Sequence, residues 1–282
     1  MLGGACSSKS VPKAKPAPRK PILSCDAYSL RDYLGRKELN YLTLPRRLKD
    51  MGIPGVAYND AWMESWDNAY LDKLKQACKD AGVKITALIC GGNLATTDEA
   101  AWEAQIKDDE KMMRAAAYLG APVVRLNIGG LGDDKLDSTV GIQRCIAAFK
   151  RLIPLAKGLN VKMTIENHGG VSKKADWILA VIKGSDPKWV GSCLDLGNWP
   201  PEERNTECAK LARYAYHIHA KTNSFTPEGE DTNKDYCYLM KLLKDAHYSY
   251  AVSIEYEGAE DQMLGVRRTV ALILKYWPEL GK

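Results

Sequence analysis

Four side chains suited to holding a divalent cation stand one per segment along the second half of this 282-residue chain: Glu166 in MTIENHGG, Asp195 in SCLDLGNWP, His219 in YHIHAKT and Glu255 in VSIEYEG. Three carboxylates and one imidazole form an oxygen-rich donor set. It suits one divalent metal ion, Mn²⁺ foremost, with Mg²⁺, Co²⁺ or Zn²⁺ as alternatives, and it excludes soft, thiolate-bound metals. Three negative ligands leave such an ion a moderate Lewis acid that can still chelate a carbonyl and a neighbouring hydroxyl oxygen. Chelation of that kind acidifies the C–H bond beside the carbonyl. A positioned carboxylate can then take the proton, an effect on the order of 10²–10⁴ in rate.

Such chemistry requires the four heads to meet, and the local pattern supplies a way. In each segment the residues in phase with the ligand are small or polar (Thr164, Cys193, His217, Ser253), whereas those out of phase are mostly apolar (Met163, Ile165, Leu194, Ile218, Val252, Ile254). Side chains alternate between the faces of a strand, so the ligands are expected to point into a barrel while their neighbours pack outward against helices. Eight apolar runs read as strands, at 22–27, 55–58, 84–90, 123–128, 162–167, 190–195, 215–222 and 251–256. Helical patterns fall between them at 44–51, 69–81, 98–119, 139–159, 173–182, 202–211, 235–245 and 261–276. Thr97 marks a helix start, and Gly82, Gly120 and Gly158 mark helix stops. Eight strands each followed by a helix predict a (β/α)8 TIM barrel, whose chemistry sits at the carboxyl ends of its strands. An open doubly wound sheet is the alternative. Its usual Gly-rich turn is missing after the first strand, where Ala27-Tyr28-Ser29-Leu30 stands, and neither GxGxxG nor GxxxxGK[ST] occurs anywhere.

A hydrophobic content of 45% can bury one sizeable core, which fits a single barrel domain over 22–282. The formal charge of +5 traces to Lys9, Lys13, Lys15, Arg19 and Lys20. They belong to an acid-free, Lys/Pro/Ala-rich stretch, 1–21, that reads as a disordered tail. The neutral remainder makes no electrostatic case for a nucleic-acid partner. Eight cysteines form no CxxC pair, and Cys25 to Cys237 read as reduced structural residues. Cys6 differs, because LGGAC followed by this tail resembles the end of a bacterial lipoprotein signal and its tether. The apolar core of such a signal is missing from the five residues ahead of it. Processing at Cys6 implies a periplasmic or lipid-anchored protein; a merely flexible tail implies a cytoplasmic one. No run of 18 apolar residues occurs, so no transmembrane span is expected.

Taken in order, ENHGG, LDLGNW, HIHAKT and SIEYEG, with AYSLRDYL more weakly at the first strand, resemble the sugar phosphate isomerase/epimerase family, the xylose isomerase-like TIM barrels, over residues 22–277. One such motif is weak evidence. Four in the family's order on successive strands are specific. The resemblance implies that Glu166, Asp195, His219 and Glu255 bind one divalent metal, and that Glu166 and Glu255 are the catalytic acid and base. The activity it implies is a sugar isomerase or epimerase that abstracts a proton beside a carbonyl of a keto-sugar or sugar derivative through an enediolate. The same start leads to a lyase that expels a β-hydroxyl as water, as with a keto-sugar or inosose. The partner is then a small carbohydrate, and a homo-oligomer is compatible with it. Against this stands a purely structural use of the carboxylates, in barrel-mouth salt bridges with Arg125 or Lys221.

Further side chains are placed by phase. Lys221, in phase with His219, is expected either to donate to a substrate oxygen or to pair with one of the acids, and His168 to contact the substrate. Asn127 and Arg125 reach toward the mouth from the fourth strand, Arg125 as a structural residue. His217 reads as a buried, hydrogen-bonded core residue. Tyr28, Tyr58, Trp62, Trp66, Trp102 and Trp199 offer flat faces for a sugar ring. Of these, Trp199 stands out because it follows the LDLGN motif, and Tyr28 joins it as a substrate-binding candidate. The polar stretch 223–234 is long for a βα loop and is expected to help cover the site. Departures from the family narrow the substrate. Its ketose 3-epimerases carry a histidine where Asn198 stands and an arginine where Phe225 stands, which argues against a free ketohexose. The second acid set of two-metal xylose isomerases is missing too. The apurinic endonuclease branch needs a three-zinc cluster rich in histidine, and this chain has only His168, His217, His219 and His247. A sugar-binding barrel without catalysis is the remaining alternative.

Overall fold

In the computed structural model, which describes residues 20–129 and 137–281, eight strands follow the predicted order. They are β1 (Ile22–Asp26), β2 (Gly55–Asn59), β3 (Lys84–Cys90), β4 (Val123–Leu126), β5 (Lys162–Glu166), β6 (Val190–Asp195), β7 (Ala215–Thr222) and β8 (Ala251–Tyr256). Each pairs in parallel with the next, and β8 closes on β1. The chain is therefore a TIM barrel. The Cys6 tail through residue 19 lies outside the described residues.

Helices separate the strands: α1 (Arg31–Gly35), α2 (Leu44–Asp50), α3 (Asn68–Ala81), α4 (Glu99–Leu119), α5 (Ser138–Leu159), α6 (Ala175–Gly184), α7 (Pro201–Leu211), α8 (Tyr236–Asp245) and α9 (Gln262–Tyr276). Their boundaries follow capping chemistry. Asp67, Asp98, Asp137, Asp235 and Asp261 each accept a hydrogen bond from a backbone N–H in the first turn of the following helix. The start of α4 is thus capped by Asp98, whose carboxylate accepts from Ala101 N at 2.8 Å, and Thr97 lies one residue outside. Gly82 and Gly120 close α3 and α4 in the left-handed conformation, as expected. Gly158 does not close α5; the helix runs one residue further and Asn160 takes the left-handed position at φ 55°.

The apolar residues out of phase with the four ligands, Met163, Ile165, Leu194, Ile218, Val252 and Ile254, are all buried in the main core between the barrel wall and the helices. Their partners in phase, Thr164, Cys193, His217 and Ser253, are fully buried as well. The alternation predicted from strand geometry thus places one set outward and leaves a polar set for the barrel interior. Among the described residues no helix is long and apolar enough to cross a membrane.

Candidate metal centre

The closed ladder sets the height of each metal-capable residue. Glu166, the last residue of β5, pairs with Cys193 on β6, while Asp195 at the end of β6 pairs with His219, and Lys221 on β7 pairs with Glu255. Moving around the wall from β5 to β8, the ligands step along the strands by two residues, none, then two. Barrel strands tilt by about 36°, so this stagger brings the heads to one level. Glu166, Asp195, His219 and Glu255 converge there: one donor atom from each lies within 4.8 Å of the others. All four are buried. β7 continues past His219 to Thr222, so this ligand lies inside its strand rather than at its end.

Two expectations for the acids meet in the same cluster. Glu166 Oε1 lies 2.8 Å from His219 Nδ1, while Oε2 accepts from the Arg125 guanidinium, which also donates to Cys90 O at 3.0 Å. Glu255 Oε1 is 3.4 Å from His219 Nδ1. Lys221 Nζ stands 3.2 Å from Asp195 Oδ2 and 3.2 Å from Glu255 Oε2. The salt-bridge partners are therefore present, but they do not complete the site. Asp195 Oδ2 and Glu255 Oε2 are buried and make no hydrogen bond, even with Lys221 at ion-pair distance. One ammonium shared between two buried carboxylates leaves negative charge that a further cation would offset. Three carboxylates and an imidazole in this state fit one hard or borderline divalent ion.

The local electrostatics follow from these contacts. Burial alone would raise the Glu166 carboxyl, but His219 and Arg125 overcome it and hold that group well below the usual carboxylate range. Burial pushes Glu255 up, with Asp195 and Glu166 adding to the rise and His219 and Lys221 opposing it. For Lys221, burial opposes the charge, yet Asp195, Glu255 and Glu257 more than offset it and keep the ammonium protonated. Burial lowers His217, leaving it neutral.

Several further residues support the cluster. Asp26, the last residue of β1, accepts from Tyr28 N through Oδ1 at 2.8 Å. Its Oδ2 faces His219 Nε2 at 3.2 Å, and neither of these atoms has another partner. A carboxylate behind a ligating imidazole fixes the ring and raises its basicity. Asn167 pins the end of β6 by accepting from Asp195 N at 2.8 Å and donating to Asp195 O at 3.0 Å. The LDLGN turn then wraps Asp195 Oδ1, which accepts from Gly197 N at 2.6 Å and Asn198 N at 2.8 Å, so that only Oδ2 stays open. The carboxylate of Asp26 in SCDAY was visible as a residue but not as a site, since its target lies 193 positions away in β7.

The substrate candidates divide. His168 Nδ1 and Asn127 Oδ1 are buried without a hydrogen-bond partner, just beyond the ends of β5 and β4. Tyr28 is half-buried against Trp62, with ring centroids 6.0 Å apart. Trp199 belongs to the core instead: it is 4% exposed and its indole N–H donates to Lys173 O at 2.8 Å. Tyr58 and Trp102 are core residues too. His217 is fully buried as expected, but neither ring nitrogen makes a hydrogen bond; its ring meets that of His219 edge-on at 5.3 Å. Phe225 stacks on Tyr256 at 6.3 Å. The 223–234 segment folds back through a Phe225–Asp231 bridge and crosses the β8–α9 connection so closely that a Cβ on Gly258 would stand 1.9 Å from Asn223 O. A groove of about 800 Å³ lined by Asp60, Trp66, Leu71, Met112 and Tyr118 contains none of the cluster residues.

Comparison with known proteins places this geometry in a wider group. The family model described as xylose isomerase-like TIM barrel matches residues 45–276. No curated protein matches the chain. Among solved structures, D-psicose 3-epimerase with D-tagatose from Clostridium cellulolyticum H10 superposes with a TM-score of 0.73 at 14% identity, covering 92% of this chain and 99% of that one. The apo form of 3-keto-D-glucoside 4-epimerase from E. coli gives 0.69 at 18% identity, with 84% and 94% covered. A sugar phosphate isomerase/epimerase from Parabacteroides distasonis ATCC 8503 gives 0.68 at 16%, with 98% and 100% covered. At these identities the likeness is one of fold.

Proposed function

This chain belongs to the xylose isomerase-like TIM barrel family, and on that premise we propose that it is a metal-dependent sugar isomerase or epimerase acting on a keto-sugar or sugar derivative. The observation that carries the reading is the pair of buried, unbonded carboxylate oxygens, Asp195 Oδ2 and Glu255 Oε2, within a four-residue donor cluster. Glu166, Asp195, His219 and Glu255 would hold the ion. When bound, a divalent ion supplies Lewis-acid polarisation of the sugar carbonyl. The rest falls to side chains. Glu166 on β5 and Glu255 on β8 approach His219 Nδ1 from different strands, at 2.8 and 3.4 Å. One glutamate takes the proton beside the carbonyl, giving an enediolate, and the other returns one to the opposite face or the adjacent carbon. Arg125, paired with Glu166, steadies its carboxylate. His168 Nδ1 and Asn127 Oδ1 offer polar contacts for sugar hydroxyls, and Tyr28 beside Trp62 offers an apolar wall. That several fold neighbours are sugar epimerases supports the same class.

The test is deuterium incorporation from D₂O by the Mn²⁺-loaded protein, followed by mass spectrometry over a panel of ketoses and keto-glycosides. Exchange at a carbon beside a carbonyl, lost on chelation and in Glu166→Gln, is the expected result. One tightly bound ion with no exchange across the panel would replace this reading with a sugar-binding barrel. Loss of a β-hydroxyl would make it a lyase, and three bound zinc ions a nuclease.

A further inference from the structure

The surroundings of Lys221 carry an inference that rests on the metal-binding reading and goes beyond it. Its Nζ lies 2.8 Å from Asn198 Oδ1, 3.2 Å from both Asp195 Oδ2 and Glu255 Oε2, and 3.3 Å from Glu257 Oε2. An ammonium has three N–H groups to give, so four acceptors cannot all be served. The hydrogen bond goes to Asn198, and the two buried oxygens left without one belong to two of the four metal-capable residues. The stem of Lys221 is confined as well. A Cβ on Gly197 would stand 2.9 Å from its Cγ and Cδ and 2.7 Å from Lys234 Cε, so the glycine of LDLGN is what admits both lysine stems beside the cluster. Lys234 is itself tied to Asn223 Oδ1 at 2.7 Å.

We propose that Lys221 is an internal counter-cation that shares Asp195 Oδ2 and Glu255 Oε2 with the divalent ion and must withdraw toward Asn198 and Glu257 when the ion enters. The ammonium balances the acids in the metal-free protein. Two cations drawing on the same two oxygens repel each other, so Lys221 holds metal affinity below what the four ligands alone would give. Lys221 is a positioning residue in this scheme. A lysine that only gripped substrate would leave metal affinity unchanged on removal. One that only braced the carboxylates for the ion would lower it.

Mn²⁺ titration of the full chain, read from the electron paramagnetic resonance signal of the free ion, separates these roles without any activity measurement. Lys221→Met is expected to bind Mn²⁺ at least about tenfold more tightly than the unmodified protein, and its metal-free form to melt at a lower temperature. Asn198→Ala, which removes the retreat position but no charge, is expected to bind Mn²⁺ several-fold more weakly. Should Lys221→Met fail to fold, Lys221→Gln and Asn198→Ala carry the same opposite signs. Unmodified protein that binds one ion while the Lys221 variants bind it equally or less tightly overturns the counter-cation and leaves the metal site standing. Failure of every form to bind Mn²⁺ overturns both.

Discussion

The two halves of the barrel do different work at its mouth. β5 to β8 present the four metal-capable side chains, one from each strand, and β7 adds Lys221. β1 and β4, the strands that flank this half in the closed ladder, contribute Asp26 and Arg125: Asp26 faces His219 on β7, with β8 between them, and Arg125 faces Glu166 on the adjoining β5. One half presents and the other holds. The difference teaches that a cluster of buried charges on neighbouring strands draws counter-groups from the flanking strands as well as Lys221 from within, because burial of each charge is tolerable only when it is paired.

The strongest way to break this division is to remove one of the presenting metal-capable residues. Asp195→Ala or His219→Ala is expected to abolish bound metal, measured by elemental analysis after loading and desalting; full retention of the ion in both would refute the site. Glu166→Gln or Glu255→Gln comes next, with turnover expected to fall on the order of 10²–10⁴-fold while substrate still binds, a split visible in kcat against KM. The holding half should cost less. Asp26→Asn is expected to weaken Mn²⁺ binding by about 10–100-fold, and if it costs as much as His219→Ala the distinction between presenting and holding collapses. The smallest effect concerns an acid of the first half that holds nothing. Asp109 on α4 is 1% exposed, its Oδ1 accepting from Gln105 Nε2 at 2.8 Å, and burial pushes its carboxyl up to about 8. The folded protein then keeps a proton that the unfolded chain releases near pH 4, so stability falls as pH rises from there to about 8. Asp109→Asn is expected to raise the melting temperature at pH 8 by several degrees, more than at pH 5, and to leave metal content unchanged; thermal melts at both pH values check this.

Local chemistry explains what was legible in the chain and where reading failed. The start of α4 shifted from Thr97 to Asp98 because a carboxylate reaching Ala101 N fills the cap equally well by sequence pattern. The end of α5 passed Gly158 because Asn160 can also adopt the left-handed conformation. Trp199 followed a site motif, but its position in sequence did not reveal that the ring turns into the core. Phe225 and Asn198 were visible as departures, and the structure adds their use: packing on Tyr256 in one case and accepting from Lys221 in the other.

The order of strands and helices, the outward packing of Met163, Ile165, Leu194, Ile218, Val252 and Ile254, and the identity of the four metal-capable residues were all determined by the amino-acid sequence itself. Each depends on periods of two or 3.6 residues and on donor type, which are properties of short segments. Only the tertiary structure decided that Asp26 stands behind His219, that Arg125 rather than Lys221 takes Glu166, and that Lys221 meets the open oxygens of Asp195 and Glu255. Those contacts join residues of different strands and rest on strand register, and the one from Asp26 to His219 exists only because the ladder closes from β8 to β1.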